Sequence, residues 1–159
     1  MSEFKSKSFD FFSYDYSNPA HILLARRLIA DPTINEYIKN IEAFIYEDTG
    51  IPLNNAYLVG HNDDLVGYIN LYEKRGIVDM DYAVDSTFRG IRNASGETIG
   101  SQIIRETAET IFDSYEFVKF IRLTIAASNI RSIKAAERAG FKLKDHFFEG
   151  NEYQLHRKK

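Results

Sequence analysis

Apolar residues recur at two different spacings along this chain, and the change from one spacing to the other falls near residue 56. In the first part they recur every three or four positions, which is typical of helices that pack on one face. A first helix is predicted to begin at Asn18-Pro19, because asparagine is a good N-cap and proline suits the first helical position. Asp31-Pro32 ends it, and a second helix is predicted from Ile34 to an end near Thr49-Gly50. Before both helices, the loosely alternating residues 4–16 predict a first strand.

From residue 56 onward, apolar and polar positions alternate, which predicts β-strands. The first three strands are joined by short turns, and the later strands alternate with amphipathic helices. The predicted order is therefore β-α-α-β-β-β-α-β-α-β-β in a single domain of residues 1–159. This order predicts an α/β (α+β) fold with a mixed, mostly antiparallel sheet of six to seven strands and helices on both faces. The predicted segments are strands 56–59, 65–72 and 77–84, helix 99–112, strand 118–127, helix 130–139, and a final hairpin of 141–148 and 152–156.

The segment from Met80 to Ile111 combines a strand end, a loop with glycines and a helix start. The first amides of a helix have no partner within it and the dipole is partly positive at this end, so such a unit is suited to bind an anion. Gly96 and Gly100 allow the backbone to come close to a phosphate. By itself this signal is weak, and an ordinary strand-to-helix connection is the simpler interpretation. The loop lacks the lysine of a Walker A motif, and the flanking strands do not predict a Rossmann array.

Composition narrows the classes of function. The 159 residues are 44% hydrophobic, which is enough for one packed core, and the net charge of −3 disfavours general nucleic-acid binding. The basic tail, residues 156–159, is short and is predicted to be solvated. Without cysteine there is no disulfide or cysteine acyl-enzyme, and the four histidines show no ligand spacing, so no metal site is predicted. The N-terminus resembles neither a signal peptide nor a transmembrane segment, and we expect a cytoplasmic protein.

Two motifs in the second half of the chain resemble those of the GNAT superfamily of acetyl-CoA-dependent N-acetyltransferases. The stretch from Val84 to Gly90, continued by residues 99–104, resembles the family's V-x-P-x-x-R-G-x-G-I-G-S-x-L-L diphosphate loop. The stretch from Ser128 to Ser132, followed by residues 137–141, is similar to the family's S-N-x-x-S…E-K-x-G-F segment, which flanks the pantetheine arm. The order of elements fits the family over the whole chain. The second motif also resembles the branch that acetylates ribosomal-protein N-termini and small amines.

The resemblance implies that acetyl-CoA binds at both motifs, although the first motif departs from the family. Its outer glycines, Gly90 and Gly100, are ten residues apart instead of four, so the loop has six extra residues. Either Arg89-Gly90 keep their role and the extra residues bulge outward, or residues 95–100 replace the short loop. We prefer the second alternative, because Gly96 and Gly100 keep the family spacing into the helix. The implied cofactor-binding residues are Ala83, Val84, Arg89, Gly90, Ser95, Gly96, Glu97, Thr98, Ile99, Gly100, Ser101, Asn129 and Ser132.

The catalytic positions of the second motif also depart from the family. Many members place a tyrosine seven residues after the asparagine, and this residue is Ala136 here. Some members place a glutamate five residues before it, and this residue is Thr124. In the branch that the sequence resembles, the serine three residues after the asparagine serves the departing thiolate, which implies this role for Ser132.

Asp79 and Asp81 lie two residues apart, on one face of the predicted strand 77–84. A carboxylate at this place would accept the proton that a substrate ammonium must lose before it attacks. The alternative is a solvated strand face without a catalytic role. Of the two, Asp81 is the better candidate because it is closer to Val84. Backbone N–H groups near Ala83 and Val84 are expected to hold the oxyanion, and Tyr82 is a further candidate acid, as are Tyr153 and His146.

Together these features predict an acetyl-CoA:amine N-acetyltransferase that transfers the acetyl group directly. The expected acceptor is a small-molecule amine or a protein N-terminus, nucleic acid and membranes are not expected partners, and a homodimer is left open. Two alternatives remain. One is a non-catalytic acyl-CoA-binding module of the same fold, which the missing tyrosine and glutamate favour. The other is a phosphate-binding protein outside this family, which rests on the loop alone.

Overall fold

A single sheet of eight strands organises the computed structural model, which describes residues 4–148 and 150–158. Its strands lie in the order β1-β2-β3-β4-β5-β6-β8-β7. All neighbouring strands are antiparallel except β5 and β6, which are parallel. The elements are β1 Phe4–Lys5, β2 Asp10–Phe12, α1 Pro19–Ala30, α2 Pro32–Tyr37, α3 Ile41–Ile45, β3 Asn54–His61, β4 Asp64–Lys74, β5 Ile77–Val84, α4 Ile99–Ser114, β6 Phe120–Ile125, α5 Ile130–Arg138, β7 Lys142–Phe147 and β8 Gly150–His156.

Helices cover the two faces of the sheet unequally. On one face, α4 and α5 pack on strands β5 and β6 through a large apolar cluster that includes Val78, Met80, Ile104 and Leu123. On the other face, α1, α2 and α3 pack mainly on β3 and β4, through residues such as Leu28, Leu58 and Tyr68. This second cluster contains Ala83 of β5 but no described residue of β6, β7 or β8. The second face is therefore open over the β6–β8–β7 part of the sheet.

The parallel pair of β5 and β6 is short. Its register covers Ile77 to Asp79 on β5 and Phe120 to Arg122 on β6. Beyond these three pairs the strands are no longer partners, although β5 continues to Val84 and β6 to Ile125. The carboxyl ends of both strands lie at the same edge of the sheet, and the next elements along the chain are α4, which begins at Ile99 after a long loop, and α5, which begins at Ile130. The fold therefore opens a wedge between β5 and β6 that points toward two helix N-termini.

The predicted fold class is confirmed, with differences in three elements. Residues 4–16 form the hairpin β1–β2 instead of one strand, which gives the described sheet eight strands. The predicted helix from Ile34 to near Thr49-Gly50 is divided into two helices, α2 and α3, at Asn40, which adopts a left-handed conformation with φ of 62°. Asparagine is the residue after glycine that tolerates this conformation best. The second of these helices also ends earlier than predicted, at Ile45. Gly150 and Asn151, the predicted turn of the last hairpin, are the first residues of strand β8. Glu149 lies outside the described residues.

The basic tail is also less solvated than its composition predicted. Arg157 donates hydrogen bonds to the carbonyl oxygens of Phe112, Tyr115 and Val118, at 2.7, 2.7 and 3.1 Å. Its guanidinium lies 5.0 Å from the centre of the Phe112 ring. Arg157 therefore caps the end of α4 as a structural residue, and Lys159 lies outside the described residues.

The close contact of β4 and β5 next to the wedge gives a test of the fold. A Cβ atom at Gly67 would lie 2.3 Å from the carbonyl oxygen of Ala83, so any side chain there must push the two strands apart. We expect Gly67→Ala to lower the free energy of unfolding by about 3 kcal/mol. The measurement is urea denaturation followed by circular dichroism.

Gly50→Ala is the matched control. Gly50 has φ of +73° but no atom within 4 Å of the added Cβ, so we expect only backbone strain of about 1 kcal/mol. Equal losses in the two variants would contradict the claim that β4 and β5 are held in close contact at Gly67.

Candidate active site

The wedge between β5 and β6 exposes backbone groups that a paired strand would use. The N–H of Asp85 bonds to the carbonyl of Val66 on β4, at 2.8 Å. Because successive residues of a strand direct their backbone groups to opposite sides, Ala83 and Asp81 also face β4. Tyr82 and Val84 then direct their N–H and C=O groups toward the opening. The backbone contact expected of Ala83 is therefore shifted to its two neighbours, since its own groups belong to the β4–β5 ladder.

Two hydroxyl groups meet across the opening. The Tyr82 hydroxyl on β5 lies 2.9 Å from Oγ of Ser132 on α5, and either atom can be the donor. Ser132 is placed by the helix start, since its N–H donates to Oδ1 of the N-cap residue Asn129 at 3.3 Å. Burial raises the pKa of Tyr82, against a smaller lowering by the hydrogen bond to Ser132. The phenol therefore stays protonated at neutral pH, and the pair holds protons that it can donate.

The N-terminus of α4 lies beside this hydroxyl pair. Thr98 is its N-cap, with Oγ1 accepting from the N–H of Ser101 at 3.3 Å. The N–H of Ile99 bonds to the carbonyl of Ile91, whereas that of Gly100 has no partner among the described residues. A Cβ on Gly100 would lie 3.3 Å from the Tyr82 ring and 3.5 Å from Cγ2 of Val84. The first turn of α4 therefore closes tightly on β5, with one free amide at the wedge.

The extra residues of the loop form a small hairpin. The bond from Ile99 N–H to Ile91 O, at 3.1 Å, closes its base, and Arg92 pairs with Thr98 in a β-bridge. Asn93 makes the turn: its side-chain oxygen accepts from the N–H groups of Ser95 and Glu97, both at 3.0 Å. The insertion therefore bulges outward after Arg89-Gly90, as in the first of the two alternatives, although Arg89 itself contacts Asp31 and Val84.

The preferred alignment fails for the tip of this hairpin. The N–H of Gly96 bonds to Asn93 O at 2.9 Å, and its carbonyl accepts from Arg92 and Arg138, at 2.6 and 3.3 Å. Glu97 is held by Arg105, whose Nε lies 2.7 Å from Oε2, and this hydrogen bond is the main cause that lowers the pKa of Glu97. Ser95, Gly96 and Glu97 thus use within the hairpin the groups that were expected to face a phosphate.

Two other residues of the expected phosphate site have structural contacts. Arg89 Nη2 donates to Oδ2 of Asp31 at 2.6 Å and to the carbonyl of Val84 at 2.9 Å, so this group is not directed toward a phosphate. Ser101 is fully buried and its hydroxyl donates to the carbonyl of Ala135 at 2.9 Å, which ties α4 to α5. Gly90 has φ of +84° and open space around its Cα, which permits close approach of a ligand at the loop start.

The two aspartates of β5 share a face as predicted, but they differ in their partners. Asp79 accepts two hydrogen bonds from Arg122 on β6, at 2.6 and 2.9 Å, at the last paired position before the wedge. Asp81 has no hydrogen bond or ion pair among the described residues. Burial, and secondly the charge of Asp79, raise the pKa of Asp81, although solvent still reaches it through the open cleft. The carboxylate suited to accept a proton is therefore Asp81.

Sequence reasoning missed a third carboxylate on this face. Glu152 on β8 is buried and lies directly opposite Thr124 of β6 in the register. Its Oε1 is 3.9 Å from Nη1 of Arg122, and Gln154 donates a hydrogen bond to its Oε2. Glu152 belongs to no recognisable sequence motif, and only the pairing of β6 with β8 shows that it lies beside Thr124.

The position of the missing family tyrosine and the two further candidate acids, Tyr153 and His146, have other surroundings. Ala136 is completely buried in the apolar cluster beneath α5. Tyr153 is buried in the same cluster, and His146 is exposed on β7, where Nδ1 lies 2.9 Å from Oδ1 of Asn151. Two surface cavities lie elsewhere, one of about 530 Å³ beside Asn40 and one of about 720 Å³ beside His21.

Among residues 4–148 and 150–158, no group of three or more histidine, aspartate or glutamate residues is arranged to hold a metal ion. No helix there has the length and apolar character needed to cross a membrane.

Comparison with known proteins gives the family and the fold. Residues 25–141 match the acetyltransferase (GNAT) family. A GNAT-family acetyltransferase from Bacillus anthracis superposes with a TM-score of 0.72 at 14% identity, covering 96% of this chain and 97% of that one. The aminoglycoside acetyltransferase AAC(6')-Ib, solved with coenzyme A, gives 0.67 at 19% identity and 94% of each chain. The N-acetyltransferase PseH of Campylobacter jejuni, solved with acetyl coenzyme A, gives 0.69 at 14% identity, covering 94% of this chain and 99% of that one. At these identities the structural likeness shows the fold, and the sequences of curated proteins give no match.

Proposed function

This chain belongs to the GNAT acetyltransferase family, and on that premise we propose that it transfers an acetyl group from acetyl-CoA directly to a primary amine. The acceptor is a small molecule or a protein N-terminus. One observation carries the proposal: the Tyr82 and Ser132 hydroxyls meet 2.9 Å apart at the wedge, beside the N-terminus of α4. This arrangement combines a site for a diphosphate, an unpaired strand edge for an extended arm, and proton donors for a leaving thiolate.

Acetyl-CoA is proposed to bind with its diphosphate at the start of α4 and its pantetheine arm along the wedge. The free N–H of Gly100 and the positive end of the helix dipole hold the phosphates, and the hydroxyl of Thr98 retains a proton to donate to them. The arm takes the place of the missing strand partner and pairs with the backbone groups of Tyr82 and Val84 that face the opening. Asn129 and Ser132 lie on the other side of the opening.

The chemical step needs a neutral amine, a stabilised oxyanion and a protonated leaving group. Asp81, directly or through a water molecule, takes the proton of the substrate ammonium. The amine nitrogen then forms a bond to the acetyl carbon, and the backbone N–H groups that face the wedge stabilise the oxyanion. When the carbon–sulfur bond breaks, the Ser132–Tyr82 pair donates a proton to the sulfur. The nitrogen of the new amide releases its extra proton to water, and the hydroxyl pair regains a proton from water. No cysteine exists that could carry the acetyl group, so the transfer is direct.

The test of the function is a thiol-release assay with acetyl-CoA and a panel of amines, including polyamines, amino acids and peptides with free N-termini. Amine-dependent release of CoA supports the proposal. Binding of acetyl-CoA without turnover of any amine would favour the non-catalytic acyl-CoA-binding module instead.

The placement of the diphosphate at α4 predicts a difference between two glycines. Gly100→Val should abolish the thermal stabilisation by acetyl-CoA, because a branched side chain there meets Tyr82 and Val84 and blocks approach to the free amide. Gly96→Asn at the tip of the hairpin, where φ is +81°, should keep it, since asparagine tolerates that conformation. For the parent, ligand at a hundredfold over its Kd adds about 2.7 kcal/mol of stability. If Gly96→Asn loses the shift and Gly100→Val keeps it, the phosphates bind at the hairpin.

The hydroxyl pair predicts a second difference. Ser132→Ala should lower kcat by about 10²-fold or more while changing the Kd for acetyl-CoA little, because it removes a proton donor to the leaving thiolate. Tyr82→Phe should act in the same direction. Steady-state kinetics and calorimetric binding separate the two quantities, and unchanged kcat in both variants would leave protonation of the thiolate to water.

The contacts of Asp79 and Asp81 predict that substitutions of Asp79 and of Arg122 shift the acidic limb of the pH–activity profile in opposite directions. Activity should rise with pH as Asp81 loses its proton, and Asp81→Asn should lose both this limb and most of the activity. Asp79→Asn removes a negative neighbour and frees Arg122, so the pKa of Asp81 should fall and the limb move to lower pH. Arg122→Gln leaves Asp79 uncompensated, so the limb should move to higher pH.

The measurement is kcat/KM against pH with one amine, so that the pKa of the amine is the same in every profile. If the parent and the three variants have the same acidic limb, the aspartates of β5 do not take part in proton transfer.

A further inference from the structure

The short helix α2 joins the two loops that border the wedge. At its start, Oδ2 of Asp31 lies 2.6 Å from Nη2 of Arg89 in the loop after β5. At its end, the hydroxyl of Tyr37 donates to the carbonyl of Ser128, in the loop after β6, at 3.4 Å. Because β5 and β6 are not partners at this edge, α2 is an element that connects their ends from the second face of the sheet.

Asp31 uses its two carboxylate oxygens for two different tasks. Oδ1 accepts from the N–H groups of Thr33 and Ile34, at 2.9 and 3.4 Å, and so begins α2 as its N-cap. Oδ2 accepts from Arg89. Both partners of this ion pair are largely shielded from solvent, with 13% of the Asp31 side chain and 17% of the Arg89 side chain exposed. The pair is therefore screened less than the ion pairs on the surface.

Arg89 also contacts β5, the strand that forms one side of the wedge. The same Nη2 atom that meets Asp31 donates to the carbonyl of Val84, the last residue of β5, at 2.9 Å. Arg27 of α1 makes a parallel contact, with Nη2 at 3.0 Å from Oδ2 of the buried Asp85. Arg89 thus holds the carbonyl of Val84 and Arg27 holds the side chain of Asp85, at the point where the loop toward α4 begins.

We propose that Asp31 is a positioning residue for acetyl-CoA: by holding Arg89 against the Val84 carbonyl, it fixes the end of β5 and the following loop in the form that receives the cofactor. The inference rests on the proposed function, since acetyl-CoA is the ligand concerned. It also implies that α2 and the loop after β5 behave as one unit. Neither Asp31 nor Arg89 touches the reacting atoms in this assignment.

The charge of Asp31 is maintained at neutral pH. Burial alone would raise its pKa, but the hydrogen bonds from Arg89 and from the amides of Thr33 and Ile34 lower it below the usual value. Loss of the charge therefore has to come from substitution. Removing one partner of a shielded, charge-assisted hydrogen bond changes an equilibrium by about tenfold.

Asp31→Asn separates the two tasks of this residue. The amide oxygen of asparagine still caps α2, since asparagine and aspartate are similar N-caps, but its NH₂ group cannot accept from Arg89. We expect the Kd and the KM for acetyl-CoA to rise about tenfold, with kcat at saturating cofactor within about twofold of the parent. Simple loss of folded protein would instead lower kcat and leave KM unchanged. Asp113→Asn, an exposed substitution at the far end of α4, is the control and should match the parent.

A double-mutant cycle with Arg89→Gln tests whether Asp31 acts through Arg89. If it does, the double variant binds acetyl-CoA no more weakly than the Arg89→Gln variant alone, because the Asp31 contact is already lost when Arg89 is replaced. Additive losses, or an Asp31→Asn variant with the Kd, KM and kcat of the parent, would overturn the proposal.

Hydrogen exchange without ligand separates this inference from the proposed function. Asp31→Asn should exchange the amides of residues 86–91 about tenfold faster than the parent while the amides of α2 stay protected. Unchanged exchange in this loop overturns the positioning role. A parent protein that neither binds nor consumes acetyl-CoA would refute the proposed function, whatever the exchange shows.

Discussion

The site depends on one constraint, namely that β5 and β6 pair over only three residues and then separate. A backbone N–H or C=O that is removed from water needs a partner, and a strand that leaves its neighbour must find that partner elsewhere. On β5 the carbonyl of Val84 accepts a hydrogen bond from Arg89, and the other backbone groups that face the opening remain available to an extended ligand. The bidentate pair of Asp79 and Arg122 lies at the point of separation and joins the strands there from the side chains. The same break in the sheet thus creates the binding edge and determines which ion pairs are needed around it.

The periodicity of the sequence was sufficient for most of the fold because both apolar clusters follow it closely. Val78, Met80 and Val84 alternate with Asp79 and Asp81 along β5, and the structure places the two sets on opposite faces. The division of the second predicted helix depends instead on a single residue with an unusual backbone angle. Asn40 interrupts an apolar pattern that continues unbroken through Ile41 and Ile45, so a hydrophobic pattern alone could not reveal that break.

The loop before α4 shows a different limit of prediction from sequence. Glycine spacing favoured the alignment in which Gly96 replaces a family glycine, whereas the structure uses Gly96 for a turn that Asn93 directs. A side-chain oxygen that accepts from two backbone amides stabilises a local turn. A comparison of glycine positions alone does not reveal such a turn. In the same way, Asp31 and Arg89 are 58 residues apart, and nothing in the separate patterns of α2 and of the loop predicts their contact.

Two family positions that lack their usual side chains suggest how the chemistry is arranged in this chain. The family's tyrosine is replaced by Ala136 on α5, and the hydroxyl of Tyr82 on β5 lies beside Ser132 of the same helix. At Thr124 a carboxylate is missing, and Glu152 lies directly across the β6–β8 pair while Asp81 lies on the other side of the wedge. A sheet presents neighbouring positions on one face within about 5 Å of each other, so one strand can supply a group that its neighbour lacks. Of these two carboxylates, Glu152 is held by Gln154 and lies close to Arg122, whereas Asp81 is unpaired and has a raised pKa. The group that is free to accept a proton is therefore the one on β5, and Glu152 is better suited to hold Arg122 in place than to act as the base.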